Sequence, residues 1–283
     1  MNATRTLALA SIIALALAPT AWADWDASRP SKWMQFPDLS DTGMDVRCGP
    51  NFQYDNSVKT LADDFECRST GPITSVHIWG SWLDDYLPWG FDPGAVDFQL
   101  SLHLDIPASQ SPTDYSMPAP DPIWIEYFPA GTFQVRMEAE NLEEQFYDPN
   151  QDMGIPLPPL NGIIGADRVC WQYNFDLAVA GTIPPNQTGT PDRPVTYWLD
   201  VTAFPHDFDA VFGWKTSMDH WNDDAVYWDD IAGAMPQELR YPAGHPLEGE
   251  SIDLAFVIVP EPATMLLLVG GGALAGVRRR RRR

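Results

Sequence analysis

Lysine, cysteine and the common catalytic motifs are scarce or missing in this chain. Its only lysines are Lys32, Lys59 and Lys215, and residues 24–259 have 38 acidic against 10 basic side chains, a net charge of −28. Such an acidic body repels nucleic acid and anionic lipid, which excludes both as its partners. The sequence has no GxSxG, HExxH, GxGxxG or P-loop motif and no HxH or HxxxH pair. It therefore offers no pattern for a hydrolase, zinc or nucleotide site.

The first 23 residues have the composition of a secretion signal. One early cation, Arg5, precedes an apolar run over 7–18, and the small-residue triplet Ala21-Trp22-Ala23 follows. The run is about 12 residues long, whereas a membrane-spanning helix needs about 20. This pattern predicts a signal peptide over 1–23 that signal peptidase cuts after Ala23.

The C-terminal end combines three unusual elements. Pro260, Glu261 and Pro262 are followed by an uncharged stretch over 263–277 and then by six arginines, beginning with Arg278, Arg279 and Arg280. A helix over the uncharged stretch would reach about 22 Å, short of the ~30 Å hydrocarbon core. Because arginines resist translocation, we expect the exported chain to stall with them on the cytoplasmic side.

These elements, in this order, resemble the PEP-CTERM sorting signal over residues 259–283. The resemblance implies that an exosortase-like enzyme cuts near the Pro-Glu-Pro triplet. It also implies an inner-membrane intermediate, held through the C-terminal helix, before the protein reaches the cell surface or the extracellular space. A simple tail anchor that stays in the membrane is the alternative.

Short segments of alternating apolar and polar residues dominate the body. The clearest is 96–105, and similar alternation covers 169–176 and 195–202, with Pro- and Gly-rich stretches between. Period-two alternation is typical of strands with one buried face. The pattern predicts an all-β fold, an antiparallel jelly-roll-like β-sandwich, as a single domain over 24–259 with long Pro/Gly-rich loops. The best candidate for a helix is 138–146.

Four segments of the body are similar to a family of uncharacterised exported domains carried by PEP-CTERM proteins of environmental bacteria. They are Ala62–Cys67, Ile73–Trp82, Tyr197–Val201 and Phe212–Val226. The similarity implies a single domain and an extracellular role, and it implies no catalytic residue.

The three cysteines allow one disulfide in an exported protein. Cys48 and Cys67 are the nearest pair in sequence, and they are the predicted bridge. Cys170 is then left as a free thiol, or it is the true partner of either one.

Tryptophans and polar side chains cluster in two segments, 79–89 and 214–230. The candidate ligand-binding residues are Trp79, Trp82, Trp221, Trp228 and His220. Aromatic faces beside carboxylates suit sugars, whose CH groups pack on the ring while their hydroxyls bond to polar groups. An extracellular polysaccharide is therefore a candidate partner. The alternative is that the tryptophans fill the core and the aspartates form turns.

A second possible site in the same segment is a Ca²⁺ site. Its candidate ligands are Asp219, Asn222, Asp223 and Asp224. Clustered oxygen ligands suit a hard cation, but the spacing lacks the register of an EF-hand loop. The acidic residues have a simpler explanation in solubility.

The leading functional interpretation is an exported surface or matrix protein without catalytic activity. A carbohydrate-binding module is the first alternative, and a glycoside hydrolase-like enzyme with a pair of carboxylates is the second.

Overall fold

The computed structural model describes residues 25–52, 57–149, 161–177, 183, 185–230 and 234–260. The predicted signal peptide, Glu261, Pro262 and the arginine run lie outside these residues, as does the uncharged stretch 263–277. Pro260 is the last residue of the final described strand. No helix within the described ranges has the length and apolar character needed to cross a bilayer.

Two sheets make up nearly all regular structure in the described residues. The first sheet contains β1 (Trp33–Gln35), β2 (Met44–Arg47), β5 (Gly71–Trp82), β9 (Gln134–Tyr147), β10 (Ile163–Asp176), β11 (Asn186–Gln187), β13 (Phe212–Ser217), β16 (Asp253–Leu254) and β17 (Phe256–Pro260). The second contains β3 (Gly49–Pro50), β4 (Val58–Cys67), β6 (Val96–Ile106), β7 (Met117–Pro118), β8 (Trp124–Phe128), β12 (Val195–Pro205), β14 (Val226–Asp229) and β15 (Gln237–Glu238). The helical structure described is one short 3-10 helix, Leu83–Asp85.

The strand order explains why the chain forms a sandwich. The first sheet runs β1-β17-β5-β10-β9-β2-β13-β16, with β11 beside β5, and the second runs β15-β14-β4-β12-β6-β7, with β3 beside β4 and β8 beside β6. Strands β2 and β9 are parallel, and the other described strand pairs are antiparallel. Each sheet has one apolar face, and the two apolar faces pack together. The predicted all-β antiparallel sandwich is thereby confirmed.

The helix considered at 138–146 is wrong. These residues lie within β9, which pairs with β10 from Gln134 to Tyr147. Glu, Ala, Leu and Gln favour a helix locally, but this preference amounts to a few tenths of a kcal/mol per residue. Pairing with a long neighbouring strand outweighs it.

Aromatic side chains from both sheets fill the core. The predicted inward residues Val96, Phe98, Leu100 and Leu102 are fully buried, whereas Leu104 is 44% exposed near the end of its strand. The ring of Phe98 meets four other aromatic rings at centroid distances of 5.2–5.4 Å, mostly edge to face. This is the arrangement that aromatic pairs prefer.

Part of the first sheet closes on itself. Strand β13 pairs with both β2 and β5, so that β5, β10, β9, β2 and β13 form a five-stranded ring. Met44, Val46, Tyr173 and Trp214 of this ring belong to the core between the sheets. The side chains that alternate with them point into the ring. The ring therefore has an interior distinct from the main core.

The predicted bridge between Cys48 and Cys67 is wrong, because all three cysteines are free and buried. Gly49, next to Cys48, pairs with Lys59 on β4, while Cys67 lies eight residues further along that strand. Because the pair is antiparallel, Cys48 falls opposite position 60, seven residues from Cys67, and at about 3.3 Å per residue the two cysteines are some 23 Å apart. A disulfide needs Cα atoms within about 7 Å.

Candidate functional site

A cavity of about 240 Å³ lies over the outward face of the second sheet. Its floor contains His103 of β6 and Asp200 of β12, and Trp228 of β14 forms part of its wall. The segments 117–120 and 234–236 cover it with apolar side chains. The cavity is slightly smaller than a drug-sized pocket, so it suits a ligand group about the size of one sugar ring.

Strand alternation explains this floor. On β6 the odd-numbered side chains face away from the core, and on β12 the even-numbered side chains do. His103 and Asp200 therefore lie on the outward face of the sheet. Both side chains are nevertheless buried because the covering segments shield them. Trp228 is half-buried and packs against a small apolar cluster of Ala62, Trp198 and Val226. The ring of Trp228 is thus fixed in place.

His103 and Asp200 form an ion pair at the floor of the cavity. The Nε2 atom of His103 is 2.9 Å from Asp200 Oδ2, and its Nδ1 atom is 2.5 Å from the carbonyl oxygen of Ala119. Only the protonated ring has an N–H for both acceptors. Burial lowers the pKa of His103, but the hydrogen bond and charge of Asp200 outweigh it and raise that pKa. The Ser101 hydroxyl adds a further side-chain hydrogen bond to Asp200.

Ser101, His103 and Asp200 do not have the geometry of a catalytic triad. A triad places the serine on one ring nitrogen and the carboxylate on the other. Here the Ser101 hydroxyl lies 3.2 Å from Nε2, the same nitrogen that meets Asp200. The His103 imidazole therefore cannot accept the serine proton on one nitrogen while the aspartate binds the other nitrogen.

The predicted ligand-binding tryptophans separate into buried and half-buried pairs. Trp79 and Trp82 are 2% and 1% exposed, so they have no surface for a ligand. Trp82 donates to the hydroxyl of Tyr173 in the main core, and Trp79 donates to Glu138 on the opposite face of the first sheet. Trp221 is half-buried and packs edge to face against Trp33. Trp228 lines the cavity.

His220 lies outside the cavity and forms its own pair. Its Nδ1 atom is 3.0 Å from Oδ1 of Asp253, which is fully buried, while 54% of the His220 side chain is exposed. Burial raises the pKa of Asp253 to about 6. A carboxylate on one nitrogen fixes the imidazole orientation and leaves the other nitrogen for solvent or a ligand.

The structure brings together only two of the four predicted Ca²⁺ ligands. Asp223, Asp224 and Glu238 have oxygens within 4.8 Å of one another, and we call this group the surface acid cluster. Asp219 instead accepts from the backbone N–H of Phe36, and Asn222 donates to Asp64. The sequence spacing was therefore misleading, because the chain turns between these residues.

The surface acid cluster already has a counter-ion. Arg240 approaches Asp224 Oδ2 at 2.5 Å and Glu238 Oε1 at 3.3 Å. A cation bound there would have to compete with the guanidinium group. Glu238 and Arg240 come from a part of the chain in which sequence reasoning found no signal.

A second group of acids was also missed by sequence reasoning. Asp45, Glu144 and Asp167 lie on three different strands and converge inside the five-stranded ring. Their sequence separations of 23 and 99 residues give no motif, and only the strand register unites them.

The C-terminal end and the β-sandwich define this chain as an exported, surface-sorted all-β protein. Residues 259–283 match the PEP-CTERM protein-sorting motif. That motif implies export, processing by an exosortase and sorting to the cell surface. Residues 31–259 match a domain of unknown function, DUF7901, and the chain belongs to this family. No curated protein and no solved structure matches the chain.

Proposed function

We propose that the mature body is a non-catalytic surface or matrix protein that binds one residue of an extracellular polysaccharide in the Trp228 cavity. The observation that carries the proposal is the combination of an aromatic wall with a polar floor in one cavity. Trp228 offers a face for the CH groups of a sugar, and the His103–Asp200 pair is the charged part of the lining.

The route to this location has three proposed steps. Signal peptidase removes residues 1–23, and the 263–277 stretch then holds the chain in the inner membrane. Exosortase processing near Pro260 finally releases the body to the surface. Replacement of the six terminal arginines by serine should leave an unprocessed or misplaced protein, which mass determination of the surface fraction detects. Normal processing of that variant would contradict the route.

The acids near the polar-aromatic segment 214–230 make a glycoside hydrolase a less favoured function than carbohydrate binding. Asp63 and Asp253 both accept from the amide of Gln35, at 3.2 and 3.3 Å. Both carboxylates are almost completely buried, so that a glycosidic bond could not pass between them.

The test of the proposed ligand is a glycan array probed with the full chain. We expect binding to sugars that Trp228→Ala reduces about two- to tenfold, because stacking on an aromatic ring typically contributes about 0.5–1.5 kcal/mol. The matched control is Trp89→Ala, which removes a tryptophan that is 65% exposed and does not line the cavity.

Equal binding by the Trp228→Ala variant and the wild-type chain would exclude the cavity as the binding site. Loss of binding in both tryptophan variants would indicate a broad aromatic surface instead. The absence of any signal from the folded wild-type chain would overturn the carbohydrate proposal.

A further inference from the structure

The interior of the five-stranded ring contains an unusual set of charges. Asp45 of β2, Glu144 of β9 and Asp167 of β10 are at most 2% exposed, and so is Lys215 of β13. Lys215 Nζ lies 3.2 Å from Asp45 Oδ2 and also contacts Glu144 Oε2. The hydroxyl of Ser81 on β5 lies beside Asp45 and Asp167.

The three carboxylates meet because the ring is closed. Asp45 and Asp167 belong to strands separated by β9, and two such strands in a flat sheet are about 10 Å apart. One oxygen of each of the three carboxylates nevertheless lies within 4.8 Å of the others. Three oxygens spaced by 4.8 Å have their centre about 2.8 Å from each, so inward movements of a few tenths of an ångström would bring them to the 2.3–2.6 Å Ca²⁺–oxygen distance in proteins.

Lys215 and Ser81 are too few donors for these carboxylates. Four buried oxygens form no ion pair with Lys215, namely Asp45 Oδ1, Glu144 Oε1, Asp167 Oδ1 and Asp167 Oδ2. The Ser81 hydroxyl, which can bond to Asp45 or Asp167, carries a single hydrogen and cannot satisfy all four. Buried polar groups in native proteins nearly always have partners. When all three carboxylates are ionised, they and the ammonium sum to a charge of −2, which a divalent cation would neutralise.

We propose that the ring binds one hard divalent cation through Asp45, Glu144, Asp167 and the hydroxyl of Ser81. Carboxylate and hydroxyl oxygens are the donors that Ca²⁺ and Mg²⁺ prefer. The inference does not depend on the carbohydrate proposal.

Burial also determines how the cation enters. No path from solvent is needed if the ion binds while β13 joins β2 and β5 and closes the ring. Exchange from the folded protein should then be slow, and unfolding should release the ion. The surface acid cluster differs, because Arg240 already compensates it and an ion there would exchange freely.

The test is to unfold the full chain in guanidinium chloride with EDTA and refold it in EDTA or in about 1 mM CaCl₂, MgCl₂ or MnCl₂. Bound metal is measured after gel filtration, together with the midpoint of thermal unfolding. We expect about one equivalent of one of these cations and a rise of about 5–10 °C in the midpoint, if the ion is near a hundredfold excess over its Kd.

The matched variants are Asp167→Asn in the ring and Asp224→Asn in the surface acid cluster. We expect Asp167→Asn to lose the retained ion and the shift, and Asp224→Asn to keep both. Ser81→Ala removes one ligand without changing charge, and it should lower the retained metal even if Asp167→Asn fails to fold.

Three results would overturn the proposal. The first is a refolded wild-type chain that retains no metal and has the same midpoint in every solution. The second is retention of the ion by both Asp167→Asn and Ser81→Ala. The third is loss of the ion from Asp224→Asn alone, which would assign it to the surface.

Discussion

The outward faces of the two sheets bury polar side chains in different ways. The first sheet closes into a ring, so Asp45 and Lys215 become interior residues. The second sheet stays open, and the segments around Met117 and Pro236 cover His103 and Asp200 while leaving a cavity. Closure produces a sealed site whose three acids share a single buried lysine. Coverage produces a site that a ligand can reach.

The largest effect is expected for Lys215→Met. Removal of the ammonium leaves buried carboxylates without their counter-ion, which typically costs about 3–5 kcal/mol of unfolding free energy. Burial lowers the pKa of Lys215, but the charges of Asp45 and Glu144 raise it further, so the residue stays charged at neutral pH. Urea unfolding in EDTA measures the change.

The control for this comparison is Arg240→Met at the surface acid cluster. The Arg240 side chain is 49% exposed, and we expect a loss below about 1 kcal/mol. Equal losses of unfolding free energy in Lys215→Met and Arg240→Met would mean that ring closure does not make the interior acids more dependent on their counter-ion than the surface acid cluster.

A smaller loss is expected for Gly213→Ala on β13. An added methyl group would lie 2.5 Å from Phe146 Cζ and 2.8 Å from Asp45 Cβ inside the ring. Overpacking of this kind typically costs about 1–3 kcal/mol. Gly94→Ala is the control, because its nearest neighbour is the end of the Asp92 side chain at 3.2 Å. A neutral result for Gly213→Ala, also by urea unfolding, would argue against a tightly closed ring.

Two buried histidines should give opposite pH dependences. Burial lowers the pKa of His77, on the first sheet, to about 4. Between pH 6.5 and about 4 the unfolded chain binds a proton that the folded chain does not, so His77 makes the unfolding free energy fall as pH falls. The raised pKa of His103 acts in the other direction. Its contribution is complete below pH 6.5 and is lost as pH rises through the folded-state value.

The measurement is the urea midpoint as a function of pH for His77→Gln and His103→Gln. His77→Gln should flatten the acid side of the wild-type profile, and His103→Gln should flatten the side above pH 6.5. If the wild-type urea midpoint falls more steeply near neutral pH, and both variants keep that fall, groups other than these histidines control the pH dependence of stability.

Addition of a reductant is expected to leave the stability of the protein unchanged, which is the smallest of these effects. Cys48 and Cys67 lie at opposite ends of the second sheet, and Cys170 lies on the first. The denatured chain should contain three reactive thiols without prior reduction, and the unfolding midpoint should not change when reductant is added. Thiol titration that finds only one would restore the predicted bridge.

Sequence reasoning was most successful where the signal was local. Alternation over 96–105 and 195–202 identified strands β6 and β12, because one face of each strand is buried and the other is not. It was least successful where a residue's role depends on a distant partner. Trp79 and Trp228 have similar sequence surroundings, yet Trp79 is buried and Trp228 lines a cavity.

The sequence by itself determined the sorting motif of the chain, its all-β class and its acidic net charge. These properties depend on local or summed features, namely the Pro-Glu-Pro triplet with the residues that follow it, period-two alternation and composition. Only the tertiary structure decided that Asp45, Glu144 and Asp167 share one interior and that His103 meets Asp200 beneath Trp228. The physical reason is that strand register and ring closure depend on pairings between distant segments, which no local pattern encodes.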